Sequence, residues 1–350
     1  MWKKVEYTKR EINDAGSRIV QSALDDIERK ECIKIIDNWR AAHAFPMNTF
    51  AIHLKHIVSQ IPEAIVVQRL KRLNTIIYKL NRFPDMKLFR MQDLGGCRVI
   101  LPTINDVYDV ISSLRNSRIR HIEHNYKDYI AIPNPNTGYR GYHLIYRYKS
   151  DRREDYNGLQ VEIQVRTQLQ HLWATAVETV GVFTNNGLKF NQGSERWLLF
   201  FRLVSALFSL EEKSAIVDGI SNEPSVIVRQ LAEIMSELHV VDKLYTIGLA
   251  TEEIGHINRT SKRPGYYLLI LDIDNSQLQV KKYKGVEKGL DLATEDYNKI
   301  EKVKDRQNID AVLVSAMSYE TLVYAYPNYF ANIKDFTKVL IDLMEKYQSK

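Results

Sequence analysis

Residues 128–148 read DYIAIPNPNTGYRGYHLIYRY, and this stretch decides the fold because it places a chemically rich loop between two strand-like runs. The runs DYIAI and YHLIYRY are short and rich in Ile and Tyr, which is typical of β-strands. In the loop, Gly138 can adopt a positive φ or a close backbone approach to a ligand, and Tyr139 and Tyr142 offer rings for stacking on a base. Arg140 and His143 add donors for phosphate or ribose. A plain hairpin is the alternative interpretation, since turns of this composition also join ordinary strands.

The segments on either side of this stretch alternate between strand and helix patterns. GGCRVILP at 95–102 and LQVEIQVRT at 159–167 predict strands, and INDVYDVISSLRNS at 104–117 predicts a helix. The first 60 residues and residues 68–83 also have helical periodicity, and Pro84 ends the second of these segments. We therefore predict an α/β (α+β) fold in which a mixed β-sheet is flanked by helices.

The sequence changes character after Glu211. A helix pattern at 225–250 precedes strand patterns at 265–274, 278–284 and 311–318, and a helix pattern at 333–347 closes the chain. The polar stretch EEKSAIVDGISNEP at 211–224 separates this part from the preceding helices. We expect one domain at 1–215, including the N-terminal helices, and a smaller C-terminal α+β domain at 222–350.

Composition and targeting signals favour a cytoplasmic protein. The chain has 350 residues, of which 45% are hydrophobic, and its charged N-terminus lacks the apolar segment of a secretory signal. The most apolar run, at 197–210, is too short to span a bilayer. Neither Cys32 nor Cys97 has the spacing of a zinc or disulfide motif.

Basic residues are concentrated in the middle of the N-terminal half. Residues 51–150 contain 16 Lys and Arg against 7 Asp and Glu, although the net charge of the whole chain is only +6. This excess favours a polyanionic ligand such as a nucleotide or RNA, and a solvated basic surface is the simpler alternative.

Two acidic residues and three basic residues are candidates for chemistry. Asp93 precedes a predicted strand and Glu162 lies between Val161 and Ile163, where a charge is costly unless it is paired or bound to a metal. The alternatives are a turn cap for Asp93 and a solvent-facing strand position for Glu162. The basic side chains that precede Asp93 could grip a triphosphate or could form an ordinary basic helix face; they are Arg69, Lys71 and Lys79.

The order of these motifs along the chain resembles the synthetase domain of the RelA/SpoT alarmone synthetase family. The resemblance covers roughly residues 50–210, as judged from the printed sequence. It rests on a basic cluster, a D-x-x-G-x-R motif, a K-D-Y-I motif, a G-Y-R-x-x-H loop and an E-I-Q-V-R-T strand. The matching residues are Arg69, Lys71, Thr75 and Lys79, then Asp93, Gly96 and Arg98, then 127–130, then Gly138, Tyr139, Arg140 and His143, then 162–167, with Trp173 and Glu178 on the following helix.

The resemblance implies a nucleotidyltransferase-like fold and transfer of the β,γ-pyrophosphate of ATP to a ribose 3′-hydroxyl. Asp93 and Glu162 would hold Mg²⁺, and Glu162 would also be the general base. The implied ATP-binding residues are Arg69, Lys71, Thr75, Lys79 and Arg98. The implied acceptor-binding residues are Lys127, Tyr139, Arg140, His143 and Gln164.

Departures from the family loop bear on the acceptor. Asn134 stands where the family commonly has Lys, the loop is one residue longer through Thr137, and Gly141 replaces a frequent Ser. Losing the Lys removes a charge that would meet the 5′-phosphates of GDP or GTP. The loop thus resembles the toxic small alarmone synthetases, which pyrophosphorylate the terminal adenosine of tRNA and stop translation. A (p)ppGpp synthetase and a non-catalytic RNA-binding regulator are the alternatives.

The basic stretches at 115–121 and 147–153 could then follow a tRNA backbone, or could be a solvated surface. Near the C-terminus, Tyr326 and Tyr329 form a Y-x-x-Y motif. This motif resembles the antitoxin-like domain of CapRel-type fused toxin–antitoxin proteins, a metal-free pseudo-zinc finger that covers the ATP site until a phage protein relieves it. The resemblance implies autoinhibition and a role in anti-phage defence, whereas simple packing of the two tyrosines is the alternative.

Overall fold

The computed structural model describes residues 2–21, 24–183, 195–241, 244, 265–272, 277–283, 287–301, 309–316 and 333–348. Three helices come first, at Lys9–Arg18 (α1), Asp26–Ala42 (α2) and Ala44–Ile57 (α3). They are followed by Ile65–Leu70 (β1), Leu73–Arg82 (α4), Gly95–Leu101 (β2), Ile104–Asn116 (α5), Ile122–Asp128 (β3), Tyr142–Arg147 (β4) and Gln160–Thr167 (β5).

The second half of the chain is helical at first and then mixed. It contains Gln168–Phe183 (α6), Glu195–Glu212 (α7), Pro224–Leu238 (α8), Gly265–Asp272 (β6), Gln277–Tyr283 (β7), Glu287–Glu301 (α9), Ile309–Ala316 (β8) and Ile333–Gln348 (α10). Two short 3₁₀ turns lie at Leu88–Arg90 and Glu154–Tyr156. Within the described part of the chain, no helix combines the length and the apolar composition needed to cross a membrane.

The described strands form one eight-stranded sheet in the order β3-β4-β5-β2-β1-β8-β6-β7. Strands β2 and β5 are parallel, and the other neighbouring pairs are antiparallel. The parallel pair arises because α5 and the β3–β4 hairpin lie between β2 and β5 in the chain, so that the chain returns in the same direction. This arrangement confirms the predicted mixed sheet flanked by helices.

Alternation along the central strands separates an apolar face from a polar face. In β5, Val161, Ile163 and Val165 are fully buried in a core shared with the N-terminal helices. Because side chains in a strand point alternately to opposite faces, Glu162 and Gln164 lie on the other face. That polar face is covered by α6 and α7, which build a second apolar core with α8 and α10. The polar residues of the sheet therefore lie between two packed layers.

The strand predicted at 128–132 lies earlier in the structure. β3 ends at Asp128, whose Oδ1 accepts hydrogen bonds from the backbone N–H groups of Ile130 and Ala131 and so begins a turn. The sequence IEHNYKD does not predict β3, because this edge strand is exposed over most of its length and therefore has no alternation of apolar and polar residues.

The C-terminal strands continue the same sheet. β8 pairs with β1 through Gln68–Ser315 and Arg69–Val314, and β6 and β7 follow β8 outward. Helix α7 ends at Glu212 and α8 begins at Pro224, and between them Lys213 has the left-handed conformation at φ 52°. Tyr326 and Tyr329 lie outside the described residues.

Candidate active site

A pocket of about 380 Å³ opens between the polar face of the sheet and helices α6 and α7. Strands β1, β2, β4 and β5 form its floor, and the loop before β4 forms one wall. Charged, aromatic and apolar side chains line it together; they are Arg69, Lys71, Asp93, Gly96, Cys97, Arg98, Tyr129, Asn134, Thr137, Tyr139, His143, Glu162, Gln164, Arg166, Trp173, Ala174, Val177, Glu178, Leu198 and Phe201.

The register of the strands places Arg69 of β1 and Glu162 of β5 on either side of Gly96 in β2. Arg69 pairs with Gly96, and Gly96 pairs in turn with Glu162. A Cβ atom at Gly96 would lie 3.4 Å from the backbone oxygen of Glu162. The glycine therefore leaves open space on the pocket floor between a cation and a carboxylate.

Asp93 is held by two lysines at one end of the pocket. Lys71 Nζ lies 2.7 Å from Asp93 Oδ2, and Lys79 Nζ lies 3.1 Å from Oδ1. Burial alone would raise the pKa of the Asp93 carboxyl, but Lys71 and Lys79 outweigh that effect and lower it to about 2. Burial also lowers the pKa of Lys71, which Asp93 partly offsets. The carboxylate is thus ionised and bound to exchangeable cations.

Glu162, which lines the same pocket, is the centre of a hydrogen-bonded chain. Its Oε1 lies 2.8 Å from His143 Nδ1, and its Oε2 accepts a hydrogen bond of 2.9 Å from Gln164 Nε2. The other ring nitrogen of His143 lies 2.6 Å from the Tyr139 hydroxyl. Gln164 Oε1 accepts a further hydrogen bond from Arg166.

These contacts determine the ionisation of the buried acid and its neighbour. Burial alone would raise the pKa of Glu162, but His143 outweighs it and the pKa is lowered. Burial alone would lower the pKa of His143, but Tyr139 and Glu162 raise it to about 9. Near neutral pH, Glu162 is therefore a carboxylate that faces a protonated His143.

The loop before β4 is closed by its own hydrogen bonds. Asn134 Oδ1 accepts from the N–H groups of Asn136 and Thr137, and the backbone of Asn134 pairs with Gly138 and Tyr139. The Asn134 side chain therefore turns inward on the loop itself.

Gly138 approaches helix α7, although the sequence suggested a close approach to a ligand. Its φ is 79°, its carbonyl accepts from Ser205 Oγ, and a Cβ atom there would lie 3.1 Å from Arg202 Cα and from Ser205 Cβ. A positive φ favours glycine, and the closeness of α7 excludes a side chain.

Most of the predicted site residues meet in the pocket, and a few lie beside it. Those that line it are Arg69, Lys71, Asp93, Arg98, Tyr139, His143, Glu162 and Gln164. Lys79 reaches Asp93 from α4, where Thr75 is half-buried in the first turn. Lys127 is exposed on β3 opposite His143, with its Nζ 5.9 Å from the centroid of the Tyr129 ring.

Arg140 is the predicted acceptor-binding residue that the structure places elsewhere. Its side chain is 2% exposed and pairs with Glu212 at the end of α7, and it is absent from the residues that line the pocket. A salt bridge across 72 positions leaves no local signal in the sequence.

Several lining residues were not among the predicted site residues, and Tyr129 and Arg166 are the two of these that lie within a quoted motif and carry a polar group beside Tyr139 or Lys127. Tyr129 lies within the K-D-Y-I motif and Arg166 within the E-I-Q-V-R-T motif. The motifs themselves were therefore the signal that could have found them. Arg166 is buried, with its guanidinium 5.8 Å from the centroid of the Tyr139 ring.

The carboxylate oxygens in the pocket are suitable ligands for Mg²⁺. Among the described residues, no group of three or more acidic, His or Cys side chains could hold a metal by itself. Asp93 and Glu162 nevertheless place two carboxylates in one pocket, and Mg²⁺ is usually held by one or two carboxylates together with substrate phosphates. Asp93 already binds two ammonium groups, which a dication could replace.

A known family model matches the part of the chain that contains this site. Residues 68–183 match the model of the region found in RelA / SpoT proteins. That segment runs from β1 to the end of α6 and contains most of the side chains that line the pocket. The predicted RelA/SpoT resemblance is therefore confirmed over this segment.

Among curated proteins, the chain is similar to two GTP pyrophosphokinases of Bacillus subtilis. It is 32% identical to YwaC over 124 residues, which is 34% of this chain and 58% of YwaC. It is 30% identical to YjbM over 116 residues, which is 33% of this chain and 54% of YjbM. The chain thus spans somewhat more than half the length of these relatives.

Among solved structures, the chain is similar to the small alarmone synthetase 1 from Bacillus subtilis. The identity is 24% and the TM-score is 0.41, with 48% of this chain and 87% of that chain covered. The same synthetase bound to its product pppGpp gives 24% identity and a TM-score of 0.42, over 48% and 88% of the two chains.

Proposed function

We propose that this chain is a pyrophosphokinase of the RelA/SpoT type, which moves the β,γ-pyrophosphate of ATP to a ribose 3′-hydroxyl. The observation that carries the proposal is a single pocket, within the RelA/SpoT segment, that joins two ionised carboxylates to several cations. Phosphoryl-type transfer depends on positioning and charge neutralisation, and such a combination of groups supplies both.

The proposed ATP-binding side chains are the basic residues of the pocket. Arg69, Lys71 and Arg98 line the pocket, and Lys79 reaches Asp93 from α4. These side chains would bind the phosphates of ATP, with Lys71 and Lys79 leaving Asp93 as the polyphosphate arrives. Asp93 and Glu162 would hold Mg²⁺, which when bound neutralises the charge of the phosphates. Thr75, in the first turn of α4, is the further ATP-binding residue of this proposal.

Glu162 is the general base of the proposed reaction. It is ionised, and His143 and Gln164 each hold one of its oxygens. A carboxylate oxygen has more than one lone pair, so Glu162 can still accept the proton of an acceptor hydroxyl. The protonated His143 keeps the carboxylate ionised and fixes its orientation.

The proposed acceptor is the 3′-terminal adenosine of tRNA. Asn134 carries no charge and its Oδ1 is bonded within its own turn, so this position lacks the cation that would pair with the 5′-phosphates of a free guanine nucleotide. Arg118 and Arg120, of the first basic stretch, are exposed, and so are Arg152 and Arg153 of the second; these side chains can contact a nucleic-acid backbone. Translation would stop because the modified 3′ end cannot be aminoacylated.

A second candidate is synthesis of (p)ppGpp from GDP or GTP. The observation that favours it is the printed name of the relatives YwaC and YjbM, which are GTP pyrophosphokinases. Both candidates use the same donor chemistry and differ only in what binds beside Tyr139 and His143.

One experiment distinguishes the acceptors. The purified chain is incubated with Mg²⁺ and γ-labelled ATP, together with tRNA, GDP or GTP. Label in the 3′-terminal fragment of tRNA supports the first candidate, and label in guanosine tetra- or pentaphosphate alone overturns it in favour of the second. Absence of transfer to any of these acceptors, by the folded full chain and also by the folded Tyr329→Ala variant in which the proposed inhibition is weakened, contradicts both.

The same assay tests whether Glu162 acts in catalysis. Glu162→Gln keeps the size of the side chain but removes the base, and we expect the transfer rate to fall by at least about 100-fold. Glu154→Gln, an exposed acid in the same domain, is the matched control and should leave the rate unchanged. An unaltered rate or unaltered growth inhibition in Glu162→Gln would favour a non-catalytic RNA-binding regulator.

We further propose that residues 222–350 are an antitoxin-like domain that inhibits the transferase. Two contacts of the described residues support a link to the donor site. First, β8 pairs with β1 at Arg69. Second, Arg40 connects α9 to Lys71, because its Nη2 lies 2.5 Å from Asn298 Oδ1 of α9 and its Nη1 donates to the backbone oxygen of Lys71. Tyr326 and Tyr329 would add to this inhibition, and a phage protein that binds the C-terminal segment would relieve it.

A further inference from the structure

The buried pair of Arg140 and Glu212 connects the acceptor side of the pocket to the end of helix α7. Arg140 lies in the loop between β3 and β4, and Glu212 is the last residue of α7. The two side chains form a salt bridge, and their exposed fractions are only 2% and 7%. A charged pair that is almost completely removed from water stays buried only when its geometry and its other hydrogen bonds are satisfactory.

Further hydrogen bonds fasten both members of the pair. Arg140 Nε donates to Ser205 Oγ at 3.2 Å, and its Nη1 donates to Ser214 Oγ at 3.0 Å. Glu212 accepts from the hydroxyl of Thr167 at the end of β5 and from Gln170 Nε2. The pair therefore joins the loop, the end of β5 and the ends of α6 and α7.

The loop that is held in this way carries the pocket wall. Ser205 Oγ, which accepts from Arg140, donates in turn to the carbonyl of Gly138 at 2.6 Å. Tyr139 lies between Gly138 and Arg140, and its hydroxyl lies 2.6 Å from His143. Any movement of Arg140 and Gly138 therefore moves the Tyr139 ring, which faces the pocket.

We infer that Arg140 and Glu212 are positioning residues for the acceptor, and that they act through Tyr139 without touching either substrate. This inference rests on the proposed pyrophosphate transfer, and it adds that acceptor positioning and ATP binding depend on different residues. Of the proposed ATP-binding residues, Arg69 lies on β1, Lys71 directly follows β1, and Lys79 lies on α4. The salt bridge and hydrogen bonds of Arg140 and Glu212 given above involve none of these three residues. Loosening the pair should therefore weaken acceptor binding and leave ATP binding unchanged.

The test is Glu212→Gln in the full chain, which keeps the shape of the side chain and removes its charge. Steady-state kinetics with ATP and with the acceptor that the wild-type chain uses should show an acceptor KM raised about tenfold, because a hydrogen bond to a charged partner is weakened. The KM for ATP should change by less than about twofold, which is well below the tenfold effect of losing about 1.4 kcal/mol of binding free energy. The reason is that the variant leaves the ATP-binding residues and their contacts in place. A matched control is Glu28→Gln, which removes the charge from an Arg–Glu pair of α1 and α2 that does not line the pocket.

A readout that needs no activity separates this inference from the proposed function. Hydrogen exchange at the loop amides that are bonded within 134–139 should be faster in Glu212→Gln than in the wild-type chain and Glu28→Gln. If Glu212→Gln does not fold, Ser214→Ala removes one hydrogen bond of Arg140 and should show the same changes to a smaller degree.

The outcomes are distinct. Unchanged loop exchange together with an unchanged acceptor KM overturns the positioning role, and equal increases in both KM values show a general structural defect and overturn it too. A folded chain that transfers no pyrophosphate, both as wild type and with Tyr329→Ala to weaken the proposed inhibition, defeats the proposed function, while faster loop exchange in Glu212→Gln still supports the coupling between the loop and α7.

Discussion

At the scale of single residues, the pocket is organised by charges that neutralise one another across short distances. Asp93 is ionised because Lys71 and Lys79 surround it, and Glu162 is ionised because His143 faces it. In both cases the burial of a carboxylate would by itself favour the neutral acid, and nearby cations reverse that preference. The protein thus keeps two negative charges in a covered pocket, where the proposed Mg²⁺ and polyphosphate would exchange with its own side chains.

The low pKa of Asp93 predicts how stability changes with pH. A carboxyl whose pKa is about 2 in the folded chain and about 3.9 in the unfolded chain contributes stability above the higher value and loses it as pH falls through the lower one. We expect Asp93 to contribute about 3 kcal/mol at pH 6. Urea unfolding of the wild-type chain and Asp93→Asn between pH 6 and pH 3 measures this contribution. The gap in unfolding free energy between the two chains should narrow towards acid pH, and a constant gap would contradict the assigned pKa.

At the scale of structural elements, the loop before β4 is determined by its packing on helix α7. Gly138 has a positive φ and lies against Arg202 and Ser205, while the turn of Asn134 is closed by hydrogen bonds within the loop. The loop is thus a rigid wall of the pocket, and its stiffness comes from a helix more than 60 positions away in the chain.

A pair of glycine substitutions tests this packing. Gly138→Ala meets both an unfavourable φ and a close contact with α7, and we expect it to lower the free energy of unfolding by about 2 to 4 kcal/mol. Gly158→Ala has a similar φ of 86° but nothing within 4 Å of the added Cβ, so its effect should be about 1 kcal/mol. Urea unfolding measures both variants, and equal losses would show that contact with α7 adds nothing to the effect of φ.

At the scale of the whole molecule, the C-terminal segment completes structures that begin in the N-terminal half. β8 extends the sheet beyond β1, and α8 and α10 cover α6 and α7 with the fully buried side chains Leu231 and Leu340. A domain that only lay over the site could be removed without harm to the rest. Here the removal of residues after 221 also uncovers an apolar face.

Truncation therefore has an expected physical consequence besides any release of activity. A chain that ends at residue 221 should bind more of a hydrophobic dye and elute as aggregates, because burying each large apolar side chain contributes about 1.5–3 kcal/mol. The full chain with Tyr329→Ala is the control, and it should remain monodisperse while still testing inhibition in the transfer assay. A truncated chain that elutes and melts like the full chain would show that α8 and α10 are dispensable for the core.

The sequence by itself determined the alternating strands β2, β4 and β5, most of the helices, and the ordered motifs that bring Asp93 and Glu162 to one class of site. It could do so because periodicity and motif spacing are local properties of a chain. Only the tertiary structure decided that Gly138 packs on α7, that Arg140 pairs with Glu212 away from the pocket, and that β8 joins β1. Each of these contacts connects residues more than 60 positions apart, and the free energy of such pairing depends on the packed surroundings of both partners, which no local pattern contains.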